Sequence, residues 1–227
     1  MRVGIHQPNY IPWGGYFYKI LKSDVFIFLD DVQYTKNSLI NRNQIKTSGG
    51  VSWLTVPVNA SITDAIREVR FAGGHWKDKH IKTLEMNYKK AACYAQYADG
   101  LFEIIKAEPD NLARMNMSLI RHIAKVLGAT CEFVLSSEHP SQQQSDDRLI
   151  ELLNLVGGDA YLSGKGGASY QSEEKFAASG IRLEYTSYTQ QEYPQRWGVF
   201  ESNMSIVDIL FNCGEKTRDV ILGGGVC

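Results

Sequence analysis

Residues 2–31 read R-V-G-I-H-Q-P-N-Y-I-P-W-G-G-Y-F-Y-K-I-L-K-S-D-V-F-I-F-L-D-D, and the architecture follows from this stretch. A short apolar run over 3–5 stops at the polar loop His6, Gln7, Pro8, Asn9 and Tyr10. Trp13, Phe17, Ile20 and Leu21 then recur at helical spacing across about residues 12–22. A second apolar run over 25–29 stops at Asp30 and Asp31. The pattern predicts strand, loop, helix and strand. Ligands in open α/β sheets bind outside the carboxyl ends of the strands, so His6 and the aspartates are expected to converge. Pro12 suits the first helical position, where its missing N–H costs nothing. The free backbone N–H groups beside it face the Gln7–Tyr10 loop and could hold an anion.

Further along, residues 43–47 and 51–58 flank Ser48-Gly49-Gly50, a hairpin signal, with Pro57 marking an edge. Residues 76–90, 94–107 and 111–127 follow helical periodicity, broken at Pro109, with Asn111 as N-cap and Gly128 as C-cap. Strands are expected over 131–135, 160–162 and 181–185, and helices over 146–156 (Ser145 as cap), 173–179 and 205–212. Successive strand–helix–strand units imply parallel strands joined by right-handed crossovers. The expected fold class is α/β: a mostly parallel Rossmann-like sheet with an antiparallel hairpin and a helical insert in the middle. Residues 1–227 are expected to form a single domain, with 1–75 and 128–212 as sheet-forming halves and 76–127 as a helical insert or cap. Residues 223–227 read as a frayed tail.

Composition narrows the function classes. A hydrophobic content of 44% and a charged content of 22% suit a soluble globular chain. The net charge of −1 supplies no field for nucleic acid or an anionic membrane, so any basic site must be local. No apolar run approaches the roughly 20 residues that span a bilayer, and no secretory pattern is visible. Cys93, Cys131, Cys213 and Cys227 are far apart without a C-x-x-C, which fits a reduced compartment. A cytoplasmic location is expected, with no membrane span.

Five groups of residues carry candidate chemistry. His6 reads as a general acid/base or a donor to phosphate, against the plainer reading of a hydrogen-bonded structural histidine. Asp30 and Asp31, adjacent on a strand, are expected on opposite faces. One would chelate Mg²⁺ or orient an amine while the other caps a turn. Lys36, Asn41, Arg42 and Lys46 form a basic, amide-rich patch suited to phosphate or carboxylate, Arg42 bidentately, unless it is a solvated surface run. Ser163, Gly164, Lys165, Gly166, Gly167 and Tyr170 lie between a predicted strand and helix. That is the context of a backbone nest for phosphate, although the P-loop pattern is absent and a plain turn fits as well. Tyr188, Tyr193 and Gln195, in Y-T-Q-Q-E-Y-P-Q-R-W, could stack a base or sugar ring and bind its edges.

These blocks carry a resemblance. I-H-Q-P-N-Y-I-P-W-G-G-Y-F-Y-K-I, L-D-D-V-Q-Y-T-K, N-R-N-Q-I-K, W-L-T-V-P-V, Y-L-S-G-K-G-G-A-S-Y, E-Y-P-Q and M-S-I-V-D-I-L-F-N-C-G together resemble the WbqC-like family of bacterial surface-polysaccharide gene clusters. The resemblance implies a role in making O-antigen or a related glycan. It implies transfer of an acyl or aminoacyl group, such as glycyl, to the amine of a nucleotide-linked sugar. In that scheme His6 and Lys165 stabilise phosphoryl charge, and Arg42 and Lys46 hold the diphosphate. Tyr188 and Tyr193 lie along the base or sugar, with Gln7, Asn9 and Tyr10 forming a wall. ATP and Mg²⁺, the latter on Asp30 or Asp31, are called for if the donor is a free amino acid. The expected partners are the nucleotide-linked sugar and a small-molecule donor, without nucleic acid, and a homodimer is compatible. One departure stands at Tyr188-Thr189-Gln190-Gln191, where relatives are expected to carry histidine and proline. A non-catalytic sugar-nucleotide-binding module assisting a glycosyltransferase is the alternative. By analogy alone, strand, H-x-x-N, helix and an Asp-terminated strand also resemble nucleotidyltransferases and class I synthetases, without their second histidine.

Overall fold

Side chains alternate across a strand, and strand β1 (Arg2–His6) uses the alternation to serve two cores. Val3 and Ile5 enter an apolar cluster with Leu152, Leu153, Tyr161 and Phe176. Gly4 turns the other way, toward Ser23, Phe26 and Lys19. His6 has the same parity as Gly4 and meets the rings of Trp13 and Tyr16. The computed structural model describes residues 1–224; the tail expectation for 225–227 lies outside the described residues.

Helix α1 (Gly14–Leu21) follows β1 and leads into β2 (Val25–Phe28). The helix starts two residues after Pro12, so the proline precedes it rather than opening it. Next come β3 (Arg42–Thr47) and β4 (Gly50–Thr55), an antiparallel hairpin pairing Arg42 with Thr55 and Thr47 with Gly50. Pro57 has no N–H to extend the ladder. The expected long strand over 51–58 therefore ends at Thr55, and β5 (Val58–Asn59) pairs instead with β6 (Arg70–Phe71).

Three helices follow: α2 (Trp76–Tyr88), α3 (Tyr94–Ala107) and α4 (Leu112–Val126). Asn111 caps α4, its side chain accepting from the Arg114 N–H at 2.9 Å. The chain then alternates through β7 (Glu132–Leu135), α5 (Ser145–Leu155), β8 (Ala160–Ser163), α6 (Glu173–Ala178) and β9 (Arg182–Tyr185). Gln144, not Ser145, occupies the N-cap of α5. Helices α7 (Ile206–Cys213) and α8 (Thr217–Leu222) complete the described residues, the last of them not foreseen from the sequence.

Five strands form one sheet in the order β7-β2-β1-β8-β9, every pairing parallel. Apolar residues of α1, α3, α4, α7 and α8 pack with Phe26 and Phe28 on one side of it. Residues of α5 and α6 pack with Val3, Ile5, Val25 and Ile27 on the other. The protein is α/β with a parallel sheet and a separate antiparallel hairpin, as the alternating pattern predicts. The helical stretch between β6 and β7 contributes to the larger core. No helix among the described residues is long and apolar enough to cross a membrane.

Candidate functional site

From β1 the chain adds β2 and β7 on one side, then crosses to place β8 and β9 on the other. The topological switch therefore lies between β1 and β8, where parallel sheets open a crevice at the strand ends. A cavity of about 570 Å³ occupies this position, lined by His6 and Gln7 after β1 and by residues 163–167 after β8. Thr186 and Tyr188 line it after β9, and Trp13, Gly15, Tyr16 and Lys19 from α1 and its entry.

His6 is half-buried at the floor, its ring 4.8 Å from the Tyr16 ring and 6.0 Å from that of Trp13. Nδ1 lies 3.1 Å from the Gln7 carbonyl. A carbonyl only accepts, so Nδ1 carries the proton and Nε2 keeps its lone pair. Burial, and then the charge of Lys19, pull the ring down to about 3, so His6 is neutral at physiological pH.

Lys19 is only 4% exposed, yet its Nζ donates to a single acceptor, the Ile5 carbonyl, at 3.2 Å. Burial lowers its amine to about 8. Its stem passes over Gly4, where an added Cβ would lie 3.1 Å from Lys19 Cγ and 2.7 Å from Ser23 Oγ. The strand is bare at the point where the lysine crosses it.

Tyr188 closes the cleft against α1. Any Cβ on Gly14 would collide with its hydroxyl, and one on Gly15 would lie 2.8 Å from its Cδ1. The Tyr188 hydroxyl donates to Gln190 Oε1 and its ring sits 5.7 Å from that of Tyr18. The opposite rim is a 3-10 turn over Lys165–Ser169, entered from Gly164. Gly167 there is pressed against Ser163 and Gln171, whose side chains bond at 2.7 Å, and a Cβ would strike both. Lys165 is exposed, and among the described residues its ammonium has no partner. The lining thus holds two lysines and a histidine, and neither aspartate nor glutamate. Such a cleft attracts anions.

Of the residues singled out from the sequence, the cleft gathers His6, Gln7, Ser163, Gly164, Lys165, Gly166, Gly167, Tyr170 and Tyr188. Asn9 and Tyr10 are buried at 3% and 0% exposure and form no wall. The Tyr10 hydroxyl meets His80 Nδ1 at 3.0 Å, and His80 Nε2 bonds the Thr55 carbonyl at 3.0 Å. Lys36 and Asn41 line a different cavity of about 590 Å³, between residues 33–37 and 55–62. Arg42 stacks 4.3 Å over the Trp53 ring and donates to the Asn37 carbonyl. Lys46 is 2% exposed and donates to Gln195 Oε1 at 2.9 Å. Gln195 donates to Tyr193, whose hydroxyl donates to the buried Asp208 at 2.8 Å. These three side chains pin the 193–201 loop to the hairpin, away from the cleft.

Asp30 and Asp31 are not split between two faces. The Ser136 hydroxyl lies within bonding reach of both carboxylates. Asp30 also accepts from Ser137 N at 3.0 Å and Ser137 Oγ at 2.8 Å. Asp31 accepts from Arg148 Nη2 at 2.9 Å, and the same nitrogen donates to the His139 carbonyl at 2.7 Å. Carboxylates whose oxygens are already engaged by hydroxyls, an amide and a guanidinium do not make an open magnesium site. Among the described residues no group of three or more His, Cys, Asp or Glu could hold a metal.

Trp13, Tyr16, Lys19, Gln171 and Thr186 belong to the cleft without having been assigned to it from the sequence. One signal was available for Lys19: it sits among Tyr16, Phe17 and Ile20 on the buried stripe of α1, where a lysine is out of place.

The sequence model of the WbqC-like protein family matches residues 7–220. The uncharacterized protein Rv1507c of Mycobacterium tuberculosis is 38% identical over 224 residues, covering 97% of this chain and 97% of that one. No solved structure matches.

Proposed function

This chain belongs to the WbqC-like protein family, and on that premise we propose that it is a transferase acting on a nucleotide-activated amino sugar. It attaches an acyl or aminoacyl group, such as glycyl, to the sugar amine during assembly of a surface glycan such as O-antigen. The observation that carries this reading is the charge of the switch-point cleft: Lys19 and Lys165 line it beside a neutral His6, without a carboxylate. A sugar nucleotide brings a diphosphate with no cation of its own. Lys165 and the exposed turn beside it meet the phosphates, while Trp13, Tyr170 and Tyr188 offer ring faces to the base or sugar. His6 presents a neutral Nε2 that accepts a hydrogen bond from the sugar amine and aims its lone pair at the acyl carbon. A bound anion raises the basicity of His6 by opposing the Lys19 charge.

The test is direct. The protein is incubated with amino-sugar nucleotides and either an amino acid with ATP or an acyl-CoA, and products are scored by mass spectrometry. An acylated sugar nucleotide supports the reading, and the productive donor tells whether ATP is consumed. No product across these combinations rejects it.

The low basicity of His6 favours a second reading, a non-catalytic module that binds the sugar nucleotide for a glycosyltransferase. His6→Ala separates the two. If binding survives and turnover disappears, the module reading fails; if function falls only in step with affinity, the transferase reading fails.

A further inference from the structure

A transfer to an amine requires that the amine first lose a proton, because the ammonium form has no lone pair. His6 is a poor agent for that step, since its ring is held at about 3. The cleft contains another candidate. Lys19 Nζ spends one hydrogen bond, on the Ile5 carbonyl at 3.2 Å, and lines the same cavity. No carboxylate lines the cavity to hold it as a fixed ion pair. Its placement is built in: Gly4 leaves room for the stem, and Ser23 Oγ donates to the Lys19 carbonyl at 2.7 Å. The titratable groups that share the cavity are His6 from β1, Tyr16 from α1, Tyr161 and Lys165 from β8 and its turn, Tyr170, and Tyr188 from the loop after β9. None of them is a carboxylate, and burial favours the neutral form of the Lys19 amine.

Building on the transfer reading above, we propose that Lys19 is the proton acceptor of this cleft. Near pH 8, where a large fraction of Lys19 is the neutral amine, the proton passes from the sugar ammonium to that amine, giving a free sugar amine and a Lys19 ammonium. The sugar nitrogen then forms a bond to the carbonyl carbon of an activated donor, an acyl phosphate, adenylate or thioester. The bond from that carbon to the leaving group breaks, and the leaving group departs with the electron pair. The second proton on nitrogen is lost to His6 Nε2 and on to solvent. Lys19 returns to its neutral form by releasing its proton once product has left. A general base of this kind works best when it titrates near the working pH, and burial has brought Lys19 to about 8.

Two measurements test the proposal, and one needs no substrate. Competitive acetylation of the intact protein across pH 6–11, read by mass spectrometry at each lysine, reports the titration of the Lys19 amine. A midpoint near 8 for Lys19, against ordinary values for exposed lysines, supports the proposal. A midpoint near the ordinary lysine value overturns it, whatever the reaction proves to be. The second measurement is turnover by Lys19→Met and Lys19→Arg. Arginine keeps the positive charge but cannot act as a base. Both variants should lose about 10²–10⁴-fold in kcat, and Lys19→Arg, which keeps the charge, should bind UDP within a few-fold of wild type. If Lys19→Arg turns over within a few-fold of wild type, Lys19 is only an anion contact and the proposal fails. If wild-type protein itself forms no product, the transfer reading fails, and with it the assignment of the sugar ammonium as proton source.

Discussion

The Tyr188 ring lies so close to the start of α1 that a Cβ on Gly15 would stand 2.8 Å from Tyr188 Cδ1. Real Cβ atoms do not approach that closely, so Gly15→Ala must displace Tyr188 or Trp13, whose Nε1 lies on the same side at 2.5 Å. Both rings line the cleft. The variant should keep its melting temperature within a few degrees and bind a sugar nucleotide about tenfold more weakly, a loss of about 1.4 kcal/mol. Titration calorimetry on the two proteins decides it, and equal affinities would remove Tyr188 from the binding surface.

Lys165 offers a cleaner separation of binding from stability. It is exposed and unpartnered among the described residues, so Lys165→Ala should leave the ligand-free melting temperature unchanged. A charged hydrogen bond to a phosphate is worth about 1.5–3 kcal/mol, so affinity for a nucleoside diphosphate should fall by roughly 10–100-fold. The difference between wild type and variant should narrow as salt rises, because the contact is open to screening. A salt-independent gap would mean that the loss comes from a rearranged glycine turn rather than from charge.

How far the sequence could be read depended on how local each signal was. The β1–α1–β2 unit and the glycine turn after β8 were legible, because each is written in contiguous residues whose periodicity breaks at the strand ends. The basic patch is not brought together, because nearness in sequence does not survive a hairpin. Arg42 and Lys46 leave β3 at its two ends, one onto Trp53 and the other beneath the 195–199 loop. Asp30 and Asp31 depart from the expectation of opposite faces for the reverse reason. Their partners, Ser136, Ser137 and Arg148, arrive about a hundred residues later, when β7 pairs with β2 and sets Leu135 opposite Phe28. Lys19 escaped notice because polarity alone places a lysine on the solvent side of a helix. Its place on the buried stripe with Tyr16, Phe17 and Ile20, facing the bare Gly4 of the adjoining strand, shows that it turns inward.

The Arg148–Asp31 pair should be structural. Its side chains are 9% and 19% exposed, and Arg148 also donates to the Ser136 and His139 carbonyls at 3.0 and 2.7 Å. Arg148→Met leaves Asp31 half-buried without its cation and two carbonyls without a donor. Breaking a buried pair on one side costs about 3–5 kcal/mol, and partial exposure puts this one at the lower end. For a chain of this length that is a fall of about 2–4 °C in melting temperature per kcal/mol. Calorimetry should register it, whereas nucleotide affinity measured well below the transition should be unaffected. An Arg148→Met protein that melts normally but no longer binds would return the aspartates to the functional site.

Lys19 makes the opposite prediction for stability. Burial holds its amine at about 8 in the folded protein, against 10.5 for an ordinary lysine. Between those two pH values the unfolded chain binds a proton that the folded chain does not. Stability therefore declines as pH falls from about 10.5 to about 8, and below 8 the penalty is complete and constant. The gap corresponds to roughly 3 kcal/mol, which the protein carries at neutral pH for the sake of this amine. Lys19→Met, matched in length and free of charge, should accordingly be more stable than wild type at pH 7, with the advantage shrinking as pH is raised toward 10. Urea unfolding of both proteins at pH 7, 8.5 and 9.5 measures this. A methionine variant that gains stability while losing turnover marks Lys19 as a residue held for chemistry against the interest of the fold. One that is less stable at pH 7 would show instead that the Lys19 ammonium is well solvated and that the Ile5 carbonyl is sufficient company for it.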